Sequence, residues 1–487
     1  MRLSLKQASL IALGVIVGVF VMMQLSALAQ KSVEPAMPID ELRQLADVFG
    51  VIKRDYVEPV DDKKLLTDAI NGMVGSLDPH SAYLDKAALR ELREGTEGKF
   101  VGLGVEITAS DDGNLRIVTP LEDAPAWRAG IKPGDIITRI DGVSVASIGL
   151  DEAVNRMHGE PGTTVVLTVV REHLLTPLAI KVTRAEIVQH SVKASMVEPG
   201  YGYIRVAQFQ EPTVDDLVAR IQALYRQSPA LKGLVLDLRN DPGGVLQSAV
   251  GVAAAFLPRD ALVVSTSGQL PESHQSLRGR PDHYMLRSEG DSLLGLPAGI
   301  KEVPLVVLVN IGSASASEIV AGALQDHKRG MIMGSQTFGK GSVQTIRTLP
   351  GDTAVKLTTA RYYTPSGRSI QARGIVPDLA VDETATGDGI NALRTREADL
   401  LKHLSNTSGD EAKAGAGPNA GAGAAVRDEI EEELAINASA AGNKPLDYGS
   451  SSDFQLRQAI NYLKHQPVQL AGRPAPPPQA SIAPRPR

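Results

Sequence analysis

Asn310-Ile-Gly-Ser-Ala-Ser-Ala-Ser-Glu-Ile-Val-Ala-Gly-Ala-Leu324 and, a little further on, Gly334-Ser-Gln-Thr-Phe-Gly-Lys-Gly-Ser-Val-Gln344 decide how this 487-residue chain is read. The apolar run Pro304 to Val309 breaks at Asn310-Ile-Gly into a turn of small residues. Ile319, Val320, Ala323 and Leu324 then recur with helical spacing, so the pattern predicts a strand, a turn and a helix start. Ser315 stands at that start, where unpaired N–H groups and the positive end of the helix dipole favour developing negative charge. A nucleophilic hydroxyl fits there. Ser315-Ala-Ser-Glu318 is equally a capping box, in which the serine accepts from a backbone amide and the glutamate reaches back.

The second stretch favours chemistry. Lys340 lies between Gly339 and Gly341, and Gln344 follows four positions later. Glycines on both sides let the backbone turn tightly and approach another segment, which an ordinary solvated lysine does not need. A lysine serves as base to a serine only when neutral, so burial must lower its pKa from about 10.4, and a nearby amide can orient the amine without adding charge. Two rival motifs fail. Gly334 to Lys340 imitates a phosphate-binding loop, but Gly341 stands where magnesium needs Ser or Thr. No serine has the Gly-x-Ser-x-Gly surroundings of a nucleophile elbow, and His327, in Gln-Asp-His-Lys-Arg, reads as a solvated helix end.

Ser313-Ala-Ser-Ala-Ser-Glu318, Ala323-Leu-Gln-Asp326, Thr337-Phe-Gly-Lys-Gly341 and Gln344 resemble, in order and spacing, the carboxy-terminal processing (tail-specific) serine peptidases with a Ser/Lys dyad. The resemblance implies Ser315 as nucleophile, Lys340 as base and Gln344 as its orienting residue, with Ser313 and Ser317 as turn and helix residues. Asp237-Leu-Arg-Asn-Asp-Pro-Gly-Gly244 resembles the family's second catalytic loop. It implies an oxyanion hole of Gly243 or Gly244 with the Ala316 amide, although turn chemistry alone accounts for Pro-Gly-Gly. No cofactor or metal is expected.

From Gly95 to about Glu186 short strands are punctuated by Gly, Asp and Pro, with two short helices. Val101-Gly-Leu-Gly-Val-Glu-Ile107 resembles the carboxylate-binding loop of a PDZ domain, and Lys132-Pro-Gly-Asp-Ile-Ile137 continues that pattern. Gly102, Leu103, Gly104 and Val105 would then offer backbone donors to a terminal carboxylate while the peptide adds a strand to the sheet edge. Met157-His158-Gly159 departs from the family, which commonly has arginine before this glycine.

The expected fold is multidomain α+β: a strand-helix-strand catalytic core with an inserted PDZ-like β-rich domain and helical N- and C-terminal regions. The boundaries read as 1–29 for a signal peptide or signal anchor, 39–94 for N-terminal helices and 95–186 for the PDZ-like domain. The peptidase core follows at 187–381, then C-terminal helices with a low-complexity linker at 382–465 and a Pro-rich tail at 466–487. Two amphipathic helices are expected at Arg396 to Leu404 and Asp453 to Leu463, with Glu429 to Glu433 as a solvated helix face. Residues 354–359 and 360–367 resemble two further strands of the tail-specific peptidase family, and 269–299 reads as a polar insertion without an assignable pattern. His80, after Pro79, reads as a turn residue and not a metal ligand.

Arg2 and Lys6 precede an uncharged run ending in Ala27-Leu-Ala29, the pattern of an export signal that could remain as an anchor over residues 8–28. This places the chain in a periplasm. A net charge of −6 gives no sign of nucleic-acid binding, and the absence of cysteine excludes disulfides and thiolate chemistry. Expected partners are the C-terminal segments of protein substrates, with room for a homodimer through the terminal helices and for an adaptor protein. The competing class is a non-catalytic PDZ adaptor, against which the intact Ser315, Lys340 and Gln344 argue.

Overall fold

The computed structural model describes residues 37–406 and 447–471, apart from 111, 175, 287–289, 389–390 and 392–393. The expected export segment, the acidic stretch Glu429 to Glu433 and most of the tail lie outside them. Among the described residues no helix is long and apolar enough to cross a membrane. The chain divides into two compact units at Ile70. The first carries the helix Ile39–Asp55, which is amphipathic and has no buried residue.

The second unit holds a mixed sheet that positions the site. Its strands run in the order Val192–Glu198, Tyr201–Val206, Gly233–Asp237, Leu305–Val309, Met331–Gly334 and Leu379–Ala380. The first pair is antiparallel and every later pair parallel. Parallel strands buried on both faces read as unbroken apolar runs, as Leu305 to Val309 does. One face, with Ile204, Leu234, Leu236 and Val307, packs on the helices Thr213–Gln227, Leu246–Phe256 and Ala316–Asp326. The other face, with Tyr203, Val235, Val306, Leu308 and Met333, is covered by Leu456, Ala459, Ile460 and Leu463 of the helix Phe454–Leu463.

That last helix arrives with a polar staple. The fully buried Arg239 joins Asp237 to Asp453 and also donates to Gln455. Tyr448 stacks under both Arg205 and Arg239, at 4.6 and 4.3 Å from its ring, and its hydroxyl accepts from Asn240 Nδ2 at 2.9 Å.

A second sheet is antiparallel. The strand Thr353–Tyr363 lies between Ala82–Leu84 and Ser342–Leu349 and also pairs with Leu262–Gly268, which pairs in turn with Gln275–Arg278. The two strands expected over 354–367 are thus one strand of 11 residues, ended by the turn at Pro365-Ser366-Gly367. The insertion folds as short 3-10 and helical turns around Gln275–Arg278.

A third sheet, ordered Val105–Ala109, Leu115–Pro120, Ile136–Ile140, Thr164–Val170 and Leu178–Thr183, has its own core of Leu115, Ile117, Ile137, Ile140, Val165, Leu167 and Val169. Val105–Ala109 is its outer strand, and helices cover Pro125–Arg128 and Val145–Met157, the latter broken at Gly149.

The helix expected at Arg396 to Leu404 is only a 3-10 turn, Glu397–Asp399. Its side chains are used elsewhere. Glu397 is fully buried and binds His80 Nε2 at 2.7 Å and Gln371 Nε2 at 2.8 Å, while Asp399 caps the Arg396 amide.

Candidate active site

Strand Leu305–Val309 ends at Asn310, and the chain turns through Ser313 and Ser315 into the helix Ala316–Asp326. Ser313 Oγ donates to Leu238 O, and Ser317 Oγ donates to Asp241 O, so both neighbouring hydroxyls are anchored to backbone. Ser315 differs. Its backbone stands at φ 55°, ψ −110°, a conformation costly for a residue with a side chain, and its Oγ makes no capping bond to the helix. The Glu318 side chain reaches back to the Ser315 amide, as the capping box requires. The Tyr362 hydroxyl approaches the Ser315 side chain as a hydrogen-bonding partner, and burial pushes its pKa up to about 12.

Glu318 ties the two motifs together. It is fully buried, and its Oε2 accepts from both the Ser315 amide at 2.8 Å and the Lys340 amide at 2.9 Å. Its Oε1 accepts from Gly339 N at 2.7 Å and Thr337 Oγ1 at 2.5 Å. Burial pushes its pKa up to about 7 although all four donors pull the other way. Gly339 stands at φ 101°, and a Cβ there would crowd the backbone of Ala372 to Gly374 at 3.1–3.3 Å, which favours the glycine.

Lys340 is partly buried. Burial first, and then the like charge of Lys356, lower its pKa, against Glu397, Glu318 and Asp78, which raise it. Among the described residues no hydrogen bond joins Lys340 Nζ to Ser315 Oγ or to Gln344. Gln344 Nε2 instead donates to Ser342 Oγ at 3.1 Å and to Thr358 Oγ1 at 3.0 Å.

The glycine loop lies against the serine. A Cβ on Gly243 would meet Ala314 O at 2.7 Å, Ser315 Cβ at 2.8 Å and Ala316 N at 2.9 Å. The Gly243 amide donates to Asp241 Oδ1 at 2.8 Å, whereas no acceptor among the described residues takes the Gly244 or Ala316 amide. Burial holds the Asp241 carboxyl well above the usual range, and its Oδ2 has no hydrogen-bond partner among the described residues.

Just before the third sheet's outer strand, Leu103 is buried in that sheet's core, and its carbonyl accepts from Ala126 N at 2.9 Å. Gly104, at φ 73°, passes so close to Ala124 that a Cβ would lie 2.3 Å from that residue's own. The amides of Leu103 and Gly104 donate to nothing among the described residues. His80 binds Glu397, and Arg184 packs its guanidinium on Gly159 while donating to Met157 O and Arg156 O.

Sequence reasoning missed the reach of Glu318, Tyr362, Asp78 and Thr358 into this site. Only Glu318 carried a visible signal, its place three residues after Ser315.

Residues 200–381 match peptidase family S41, residues 116–171 match the PDZ domain, and residues 17–88 match the N-terminal domain of the activating protease CtpB. A carboxy-terminal-processing protease of Bartonella bacilliformis is 44% identical over 76% of this chain and 82% of its own. A probable CtpA-like serine protease of Staphylococcus aureus is 36% identical over 70% of this chain, which spans 65% of that relative's length. The solved photosystem II D1 C-terminal processing protease is similar at 33% identity, with a TM-score of 0.38 over 67% of this chain and 84% of that one. The chain belongs to the carboxy-terminal-processing serine proteases of peptidase family S41.

Proposed function

We propose that this chain is a periplasmic endopeptidase that captures a substrate's free C-terminus on a PDZ-like domain, residues 95–186, and cleaves upstream with Ser315 and Lys340. The observation that carries it is the sharing of Glu318 Oε2 by the Ser315 and Lys340 amides, which sets a strained serine beside a partly buried lysine of lowered pKa. Neutral Lys340 takes the Ser315 proton as Oγ attacks the scissile carbonyl, and the same proton passes to the leaving amine. The amides of Gly244 and Ala316 receive the oxyanion, since the Gly243 amide already serves Asp241. Water then hydrolyses the acyl-enzyme.

Leu103 and Gly104 supply the free donors for a terminal carboxylate, next to the outer strand Val105–Ala109, along which a peptide can add. The remaining boundaries of this reading are 39–94 for the N-terminal helices and 187–381 for the peptidase core. Residues 1–29 export the chain and residues 8–28 can hold it at the inner membrane. The apolar residues exposed on the helix Ile39–Asp55, among them Leu42, Leu45 and Val48, suit a second copy of the chain. The test is purified Ser315→Ala and Lys340→Ala protein. Each should lose cleavage by orders of magnitude while its melting curve is kept, and activity within about tenfold of wild type in either variant would sink the dyad.

A further inference from the structure

We propose that Asp78 is a positioning residue for the peptidase reaction, acting through the Thr358 hydroxyl to fix the Gln344 amide so that its carbonyl oxygen faces the Lys340 amine. The inference rests on the reading of Lys340 and Gln344 given above.

Asp78 sits in the turn Asp78-Pro-His-Ser81, just before the short strand Ala82–Leu84, and is 4% exposed. Its Oδ1 accepts from His80 N at 2.9 Å, Ser81 N at 3.0 Å and Thr358 Oγ1 at 3.0 Å, while Oδ2 accepts from Ser81 Oγ at 2.7 Å. Burial raises its pKa, but these bonds outweigh it and hold the carboxyl below the usual range. Asp78 is therefore ionised at working pH and can only accept.

Direction follows from that. A threonine hydroxyl has one proton, and Thr358 commits it to Asp78. Toward Gln344 the same oxygen can then only accept. Gln344 must present Nε2 to it, at 3.0 Å, and its second N–H goes to Ser342 Oγ at 3.1 Å. The 3.3 Å approach of Thr358 Oγ1 to Gln344 Oε1 would need the proton already spent. An amide's two ends are alike in shape, so only such a network decides which way it faces. Here both N–H groups are used, and Oε1 remains free to accept.

A lysine that is to take a proton from Ser315 must aim its lone pair at the serine and its N–H groups at acceptors. Gln344 Oε1, left open by this network, is the acceptor the amine would turn to, and the sheet register brings the relay together. A bulge between Val343 and Gln344 sets Gln344 opposite Thr358, and the strand Ala82–Leu84 carries the Asp78 turn to the other side of the strand Thr353–Tyr363.

The charged groups acting on Lys340 are Lys356, Glu397, Glu318 and Asp78, so removing Asp78 changes charge as well as orientation. Thr358→Val removes the relay and no charge. In the full-length protein, Asp78→Ala and Thr358→Val should each lower kcat about tenfold or more with KM changed less than about threefold. Labelling of Ser315 by a fluorophosphonate should slow in parallel. Thr358→Ser keeps the proton, and Asp78→Asn keeps an acceptor at Oδ1 with an N–H for Ser81 Oγ, so both should stay within about threefold of wild type. Wild-type kcat and labelling in Thr358→Val, alongside impaired Gln344→Ala, would overturn the relay. Wild-type activity in Gln344→Ala would instead overturn the site reading beneath it. Should Asp78→Ala fail to fold, the Thr358→Val and Thr358→Ser pair decides alone: a loss in Val restored in Ser supports the relay, and equal rates refute it.

Discussion

Replacing Glu318 by Gln tests how serine and lysine loop are held. The carboxylate meets four donors, Ser315 N and Lys340 N on one oxygen, Gly339 N and Thr337 Oγ1 on the other. An amide keeps one accepting oxygen, and its NH2 must face one of these pairs. Turned toward Ser315 and Lys340, it strands two buried N–H groups. Turned toward Thr337, it strands only Gly339 N, because the threonine oxygen can accept, so the cheaper arrangement costs about 1–3 kcal/mol. Protonation sets the pH dependence. Burial raises the carboxyl from 4.5 to about 7, so the fold holds this proton more tightly than the unfolded chain does. Wild-type stability therefore falls as pH climbs through that window, by about 3 kcal/mol from this group alone, and the Gln variant lacks the fall. Urea unfolding at about pH 5 and about pH 8 should show a penalty for Glu318→Gln that shrinks or reverses with rising pH. A penalty that is constant or grows would refute the reasoning.

Cleavage should rise with pH along a limb set by Lys340, whose pKa burial lowers, and a flat kcat/KM profile from about pH 5 to about pH 9 would contradict its role as base. Gly244→Ala would place a Cβ 2.0 Å from Phe209 O, so the loop must shift. Displacing one oxyanion donor costs about a hundred- to a thousandfold in kcat, and near-normal turnover would remove Gly244 from the oxyanion hole. Amidating the C-terminus of a peptide substrate should weaken its binding to the full-length protein up to about ten- to a hundredfold, because a carboxylate accepts stronger bonds from Leu103 and Gly104 than an amide does. Equal affinity for acid and amide, measured by titration with Ser315→Ala protein, would refute terminal capture.

The fold was legible where periodicity and burial agree. Leu305 to Val309 gave a buried strand and Phe454–Leu463 a helix with Leu456, Ile460 and Leu463 turned inward. It was illegible where a polar side chain serves a partner far along the chain. The spacing of Arg396 to Leu404 suits a helix, but Glu397 is held by His80, 317 residues away, and that bond outweighs local propensity. In the site, glycine and small-residue spacing brought out Ser315 and Lys340. Nothing local marked Asp78, because its partner Thr358 lies 280 residues downstream, a separation no local pattern reports. The capping box was legible, since Glu318 does reach back to the Ser315 amide.

The helix Phe454–Leu463 has a consequence for timing. It supplies the cover for Val235, Val306, Leu308 and Met333, and Asp453 supplies a second carboxylate for the buried Arg239 beside the Asn240 to Gly244 loop. As the chain emerges N-terminus first, the sheet can pair before this cover exists, and its far face stays bare until residue 463 has appeared. The glycine loop reaches its final support only then. Maturation of the protease is thereby tied to delivery of its own late segment, and chains stopped before Asp453 should display a sticky sheet face and not a working site.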